Sequence, residues 1–178
     1  TDVSKIVICI NPSDLKYFKN YHKDKNKFFL LPTEGVETKN FSIRKNNTNN
    51  NFIFFGRLIK EKGIEDYIEV AKIIKRKYPE KKFFIAGPIN QSIIGQSKFD
   101  KGTLALIKKN EKHIEYLGFI KDYKHIFPKM DCLISPSFSE GAGTSVMEAM
   151  ISGLHIIAYN NSGHNYVLKN TKNQICKI

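Results

Sequence analysis

Asn51 to Pro88 reads NFIFFGRLIKEKGIEDYIEVAKIIKRKYPEKKFFIAGP, and the fold turns on this stretch. FIFFG, Phe52 to Gly56, is a short continuous apolar run closed by glycine, the pattern of a strand covered on both faces. In the segment that follows, Ile64, Tyr67, Ile68, Ala71, Ile74 and Tyr78 recur at helical spacing, and Pro79 marks the stop. KFFIAGP, Lys82 to Pro88, is a second apolar run ending in Gly-Pro. Strand, helix and strand in that order predict a parallel βαβ unit.

The alternation continues downstream. A polar loop from Asn90 to Lys98 leads to a helix near Lys101 to Lys112, then a strand in IEYLGF, Ile114 to Phe119. A short helix around Asp122 to Lys129 precedes a fourth strand in DCLISPS, and the helix after Gly143 leads to a fifth in HIIAY, His155 to Tyr159. Five strands alternating with helices predict an α/β fold with a doubly wound, mainly parallel, Rossmann-like sheet. Ligands of such sheets bind outside the carboxyl ends of the strands. GRLIKEKG, AGPIN, LGFIKD and SPSFSEGAG all sit at those ends. Upstream, KIVICI reads as a strand, PSDLKYFKNYH as a helix with Ser13 or Asp14 near its cap, and KFFLLP as a strand before a turn at Glu34-Gly35. The expected organisation is a small unit over 1–38, a polar Asn-rich linker over 39–51 and the Rossmann-like domain over 52–178.

Composition narrows the class. The chain has 178 residues, 41% of them hydrophobic, and no apolar run near the about 20 residues of a membrane span. Thr1-Asp2 opens onto structured sequence, so no signal peptide is expected. Cys9, Cys132 and Cys176 form no C-x-x-C pair, which reads as reduced thiols in a cytoplasmic protein. Against 17 acidic residues stand 29 basic ones, a net charge of +12. Only Arg44, Arg57 and Arg76 are arginines, so the surplus is scattered lysine rather than the guanidinium forks that read nucleic acid. No nucleic acid partner is expected. An anionic membrane surface suits the charge better.

Two stretches carry the chemistry. In GRLIKEKG, Gly56 to Gly63, Gly56 lets backbone come close, Arg57 can fork onto phosphate and Lys62 adds a charge at a helix start. The spacing fits neither a P-loop nor G-x-G-x-x-G. The competing reading pairs Arg57 and Lys62 with Glu61 or Glu65 on the surface. In SEGAGTSVMEAM, Ser139 to Met150, the helix beginning near Gly143 points its N–H groups toward Glu140, and Gly141 and Gly143 leave room for a ligand. Val146, Ala149 and Met150 make the buried face, which puts Glu148 on the opposite side, toward solvent or a cleft. A carboxylate facing a cleft can accept from two hydroxyls of a sugar diol.

GRL-x-x-x-KG, LGF and D-x-L-x-x-P-S-x-x-EG-x-G-x-x-x-x-EAM-x-x-G, in that order over residues 51 to 168, resemble the C-terminal domain of GT-B-fold retaining glycosyltransferases of the group 1, or family 4, type. ICINPSDLKYF and FFLLPTEGVETKNF look like the tail of that family's N-terminal domain and its crossover segment. The resemblance implies that Arg57 and Lys62 hold the diphosphate of a nucleotide-sugar donor and stabilise it as leaving group. It implies that Glu140 contacts hydroxyls of the transferred sugar. Gly56, Gly141, Ala142, Gly143 and Thr144 would lie against donor, Glu148 would bind the ribose, and Phe119 and Ile120 would line the base. Neither a metal ion nor another cofactor is implied, since two cations and a helix end supply the electrostatics. Two features depart from the pattern: Glu34-Gly35-Val36-Glu37 replaces N-G-V-D, and NSGHNYVL puts Tyr166 near the usual acid. His164 in that segment could touch the donor, but the leading reading is a satisfied surface histidine.

The expected function is therefore the donor-binding part of an enzyme that moves a sugar, with retention, from a nucleotide-diphosphate sugar to a glycan or lipid-linked acceptor. Capsule, lipopolysaccharide or another bacterial cell-surface polysaccharide is the expected product, made in the cytoplasm or at the inner face of the membrane. The acceptor-binding N-terminal domain and the last helices are expected to be missing, which would leave this chain alone with little or no turnover. Other readings are an epimerase or phosphorylase of the same fold, a non-catalytic nucleotide-sugar or glycan-binding module, and a basic nucleic-acid-binding domain.

Overall fold

The computed structural model of the chain describes residues 4–31, 35–45, 49–89 and 101–176. The loop from Asn90 to Asp100 and Glu34 of the Glu34-Gly35 turn lie outside them. Six parallel strands form the main sheet: β3 (Asn51–Phe55), β4 (Lys82–Ala86), β5 (Glu115–Tyr116), β6 (Cys132–Ser135), β7 (His155–Tyr159) and β8 (Gln174–Cys176). Their order is β5-β4-β3-β6-β7-β8. The chain winds outward from β3 to β5, returns across the sheet, and winds the other way from β6. The reversal lies between β3 and β6, which is where doubly wound sheets open a crevice for ligands.

Alternate residues of the strands feed two cores, one on each face. On one face Phe54, Ile85 and Ile134 meet Tyr67, Ile68 and Ala71 of α2 (Ile64–Lys77). The Tyr67 hydroxyl, fully buried there, donates to the carbonyls of Phe52 and Phe84, so its polar end is satisfied inside the core. On the other face Ile53, Leu133 and Ile156 meet Val146 and Ala149 of α4 (Thr144–Ile151). The upstream segment makes a separate parallel pair, β1 (Val7–Cys9) with β2 (Phe28–Leu30), joined by α1 (Pro12–Tyr21).

Several boundaries differ from the sequence reading. Asn11, not Ser13 or Asp14, caps α1: with Pro12 in the first turn the cap must precede it, and the Asn11 side chain accepts from the Asp14 N–H. Helix α3 (Lys101–Lys109) stops short of Lys112 because the Asn110 side chain turns back onto the Leu106 carbonyl. The region from Asp122 to Lys129 forms two single 3-10 turns, Tyr123–His125 and Phe127–Lys129, with Pro128 in the second. Helix α5 (Ser162–Leu168) and strand β8 extend the alternation past the fifth strand.

Candidate functional site

A cleft of about 210 Å³ opens at the reversal point. Phe54, Phe55 and Gly56 at the end of β3 line it, with Ile134 and Ser135 at the end of β6. Lys62, Ser137, Glu140, Thr144 and Ser145 complete the walls. Four of the residues singled out in the sequence, Gly56, Lys62, Glu140 and Thr144, are thus brought together. A Cβ on Gly56 would meet nothing within 4 Å, so its glycine leaves open space there.

Lys62 reaches the cleft because the turn that carries it is pressed onto the β6–α4 loop. Gly63 closes that turn at φ +72, and a Cβ there would overlap the Pro136 carbonyl. Across the same seam the Phe138 N–H donates to the Glu61 carbonyl at 3.0 Å. The Lys62 Nζ then lies 2.6 Å from Glu140 Oε1, with each side chain 18% exposed. The surface pairing of Lys62 with Glu61 or Glu65 is therefore replaced by an ion pair inside the cleft, between residues 78 positions apart. From the other side, Gly163 abuts the Glu140 backbone so closely that a Cβ would overlap its carbonyl carbon and oxygen.

Helix α4 starts at Gly143, in the left-handed region at φ 65, with no side-chain cap. Its positive end faces the cleft through Thr144 and Ser145. The glycines before it serve protein packing as well as ligand room. A Cβ on Gly141 would collide with the Ile10 side chain, and one on Gly143 would meet the His164 ring at 3.4 Å. Asn11, fully buried, donates to the Gly141 carbonyl at 3.0 Å. Ala142 is buried.

The remaining predicted residues lie outside the cleft lining. Arg57 is exposed beside Gly56. At the end of β5, Phe119 is exposed, while Ile120 packs into the second core. Glu148 is not an open surface residue and lies outside the cleft lining. It is 8% exposed and covered by Tyr123, whose hydroxyl donates to Glu148 Oε1 at 2.6 Å. Burial raises the Glu148 carboxyl above its usual range, with the Tyr123 bond and Lys124 pulling the other way. The Tyr123 phenol is pushed up to about 12, first by burial and then by Glu148. Tyr123 is held by Phe41, Phe55 and Phe127.

His164 is not a surface residue. It is fully buried, with Nε2 at 3.2 Å from the cleft residue Ser135 and Nδ1 at 2.9 Å from the Tyr159 carbonyl. Burial holds its pKa below the usual histidine value, and Lys62 adds to this. The Tyr159 carbonyl and Glu140 oppose it. Sequence reasoning missed Tyr123, Ser135 and the burial of His164. The one available signal was Gly163 just before His164, a residue that permits close packing at the start of a helix.

The family model described as "Glycosyl transferases group 1" matches residues 35–177. The N,N'-diacetylbacillosaminyl-diphospho-undecaprenol alpha-1,3-N-acetylgalactosaminyltransferase of Campylobacter jejuni is 23% identical over 164 residues, covering 84% of this chain and 41% of that protein. The capsular polysaccharide biosynthesis glycosyltransferase CapM of Staphylococcus aureus is 24% identical over 151 residues, covering 78% of this chain and 38% of its own. The crystal structure of Anabaena HepE in complex with UDP-glucose shares the fold at a TM-score of 0.77 and 16% identity, across 98% of this chain and 50% of that one. The chain thus spans about two fifths of the length of these two curated relatives.

Proposed function

This chain belongs to the group 1 glycosyl transferases, and from that premise we propose that the cleft between β3 and β6 binds the nucleotide-sugar donor of a two-domain, retaining enzyme. The observation that carries this reading is the Lys62–Glu140 pair, 2.6 Å apart inside a cleft at the sheet's reversal point. A cation and a carboxylate there suit a ligand that is anionic at one end and hydroxylated at the other. The HepE structure, solved with UDP-glucose, supports such a ligand.

When donor enters, its phosphates take Lys62 away from Glu140, and the released carboxylate accepts from sugar hydroxyls. Arg57, exposed beside the cleft, joins Lys62 on the diphosphate, and the uncapped start of α4 at Gly143 and Thr144 adds its dipole. As the bond from the anomeric carbon to phosphate oxygen breaks, these cations stabilise the electron pair that leaves with the diphosphate. No metal ion is needed for that step in this reading. Glu148, with one oxygen held by Tyr123, has the other for the ribose, while the backbone around Phe119 and Ile120 flanks the base.

In this reading residues 1–38 are the end of an acceptor-binding N-terminal domain, 39–51 the linker and 52–178 the donor domain. The acceptor is a lipid-linked or growing cell-surface glycan, in keeping with the names of the two relatives. The excess of lysine favours work at an anionic membrane face. Among the described residues no helix is long and apolar enough to cross a membrane.

Calorimetric titration of the full-length protein with a panel of nucleotides and nucleotide sugars tests this. One nucleotide class is expected to bind selectively, and Arg57→Ala and Glu148→Ala are each expected to weaken it by roughly tenfold or more, the loss of a charge-assisted hydrogen bond. A folded protein that binds none of the panel would overturn the reading.

A further inference from the structure

We propose that His164 and Ser135 form a hydrogen-bond reader at the floor of the cleft: His164 takes the hydrogen of the Ser135 hydroxyl, so Ser135 offers the cleft lone pairs alone and receives a sugar hydroxyl rather than a phosphate oxygen. This rests on the cleft being a nucleotide-sugar site.

The ring's tautomer follows from its surroundings. His164 is fully buried, so its partners are protein groups. Nδ1 lies 2.9 Å from the Tyr159 carbonyl, which can only accept, so Nδ1 carries the ring hydrogen. Asn161 is oriented independently: its Oδ1 accepts from the His164 backbone N–H at 2.9 Å, and its Nδ2 donates to the Ser137 carbonyl at 2.8 Å. That Nδ2 also lies 2.9 Å from Nδ1, the one nearby group that favours the opposite tautomer. With Nδ1 protonated, Nε2 is bare and acts as an acceptor 3.2 Å from Ser135 Oγ. The charged groups that act on the ring are Glu140 and Lys62, of opposite sign, and burial keeps the ring neutral at neutral pH.

The consequence is a sorted cleft. A hydroxyl that has given its hydrogen away retains only acceptor capacity. Phosphate oxygens are acceptors too, so they are repelled from the Ser135 floor and drawn to Lys62. Sugar hydroxyls carry a hydrogen and satisfy it. Ser135 would be a specificity-determining residue, and His164 a positioning residue that acts through it.

Two measurements on the full-length protein test this. The first is ligand-free. Nitrogen-15 NMR of the histidine rings is expected to show His164 neutral at pH 7 with its hydrogen on Nδ1, and Ser135→Ala is expected to shift the Nε2 resonance. A hydrogen on Nε2, or a charged ring at pH 7, would overturn the reader.

The second compares UDP, GDP and ADP with their glucose conjugates. Ser135→Ala is expected to leave the affinity for the binding nucleoside diphosphate within about twofold. For its glucose conjugate it is expected to weaken binding by roughly threefold to tenfold, one neutral hydrogen bond. His164→Leu should act on the same ligand only, while His164→Gln, which can still offer an acceptor, should restore part of the loss. Equal weakening of diphosphate and conjugate, or none, would overturn the sugar assignment while leaving the donor cleft standing. Binding of none of the six ligands by the wild type would overturn the donor reading and this one together.

Discussion

Glu148 shows how a single residue can be kept in a state that costs stability. Its carboxyl is raised from the usual 4.5 chiefly by burial. The folded form therefore holds its proton to higher pH than the unfolded form does. The sign follows from that: the contribution to stability is fully present below about pH 4.5 and is lost as pH rises through the raised value. Glu148→Gln is expected to raise the thermal midpoint at pH 7.5, by about 0.5–1 kcal/mol of stability, and to have little effect at pH 4. Melting curves at the two pH values check both halves, and equal effects would remove burial of the charge as the cause. Glu140 and Lys62 were legible in the sequence as separate groups flanking strand ends. That they pair with each other was not, because the pair depends on Gly63 seating one loop against the other. Tyr123 was illegible: nothing in a lone tyrosine within a lysine-rich turn says that it closes over a carboxylate 25 residues away.

At the scale of elements, the linker residues Arg44, Asn49 and Asn51 are tied to the start of β6 by one carboxylate. Asp131, just before that strand, accepts from Arg44 Nη1 at 2.8 Å and from the backbone N–H groups of Asn49 and Asn51, each at 2.9 Å. The Arg44 N–H in turn donates to the Ser152 carbonyl at the end of α4. Asp131→Ala leaves the Arg44 guanidinium only the backbone carbonyl of residue 131, at 3.2 Å, and leaves the two N–H groups without their carboxylate acceptor. It is expected to cost about 2–4 kcal/mol in chemical denaturation, with Asp131→Asn between it and wild type. A loss below about 0.5 kcal/mol, the range of ordinary surface changes, would show that the linker is held by other means. The strands and helices of the sheet were read well because continuous apolar runs and helical spacing are strong signals when both faces of a sheet are covered. β8 and α5 were missed for a physical reason. Gln174–Cys176 is a three-residue edge strand, and α5 is a two-turn helix whose buried residues include Gly163 and His164 rather than a run of aliphatics.

At the scale of the whole molecule, the small upstream sheet and the cleft are one mechanical unit. Asn11 is fully buried between them. Its Oδ1 caps α1 by accepting from the Asp14 N–H at 2.9 Å, and its Nδ2 donates to the Gly141 carbonyl at 3.0 Å, one residue past Glu140. Ile10 packs against Gly141 at the same point. The upstream unit itself leaves Ile6, Ile8, Tyr17, Tyr21, Phe29 and Leu31 exposed, an apolar surface on which the proposed acceptor domain would build. A shift of that domain would therefore reach the cleft through Asn11. Two substitutions separate capping from coupling. Asn11→Ala loses these two bonds and the Nδ2 bond to Asp14 Oδ2 at 2.8 Å, and is expected to cost about 1 kcal/mol of stability for the cap alone. Asn11→Ser keeps a good cap but is too short to reach Gly141, so it removes the tie to the cleft together with the local amide bond to Asp14. Both are expected to weaken binding of the nucleotide sugar identified by calorimetry by roughly threefold to tenfold, the value of one hydrogen bond, although Asn11 touches no part of the cleft lining. If Asn11→Ser binds that donor as wild type does while Asn11→Ala is only less stable, the two sheets are joined for folding and the upstream unit has no hold on the site.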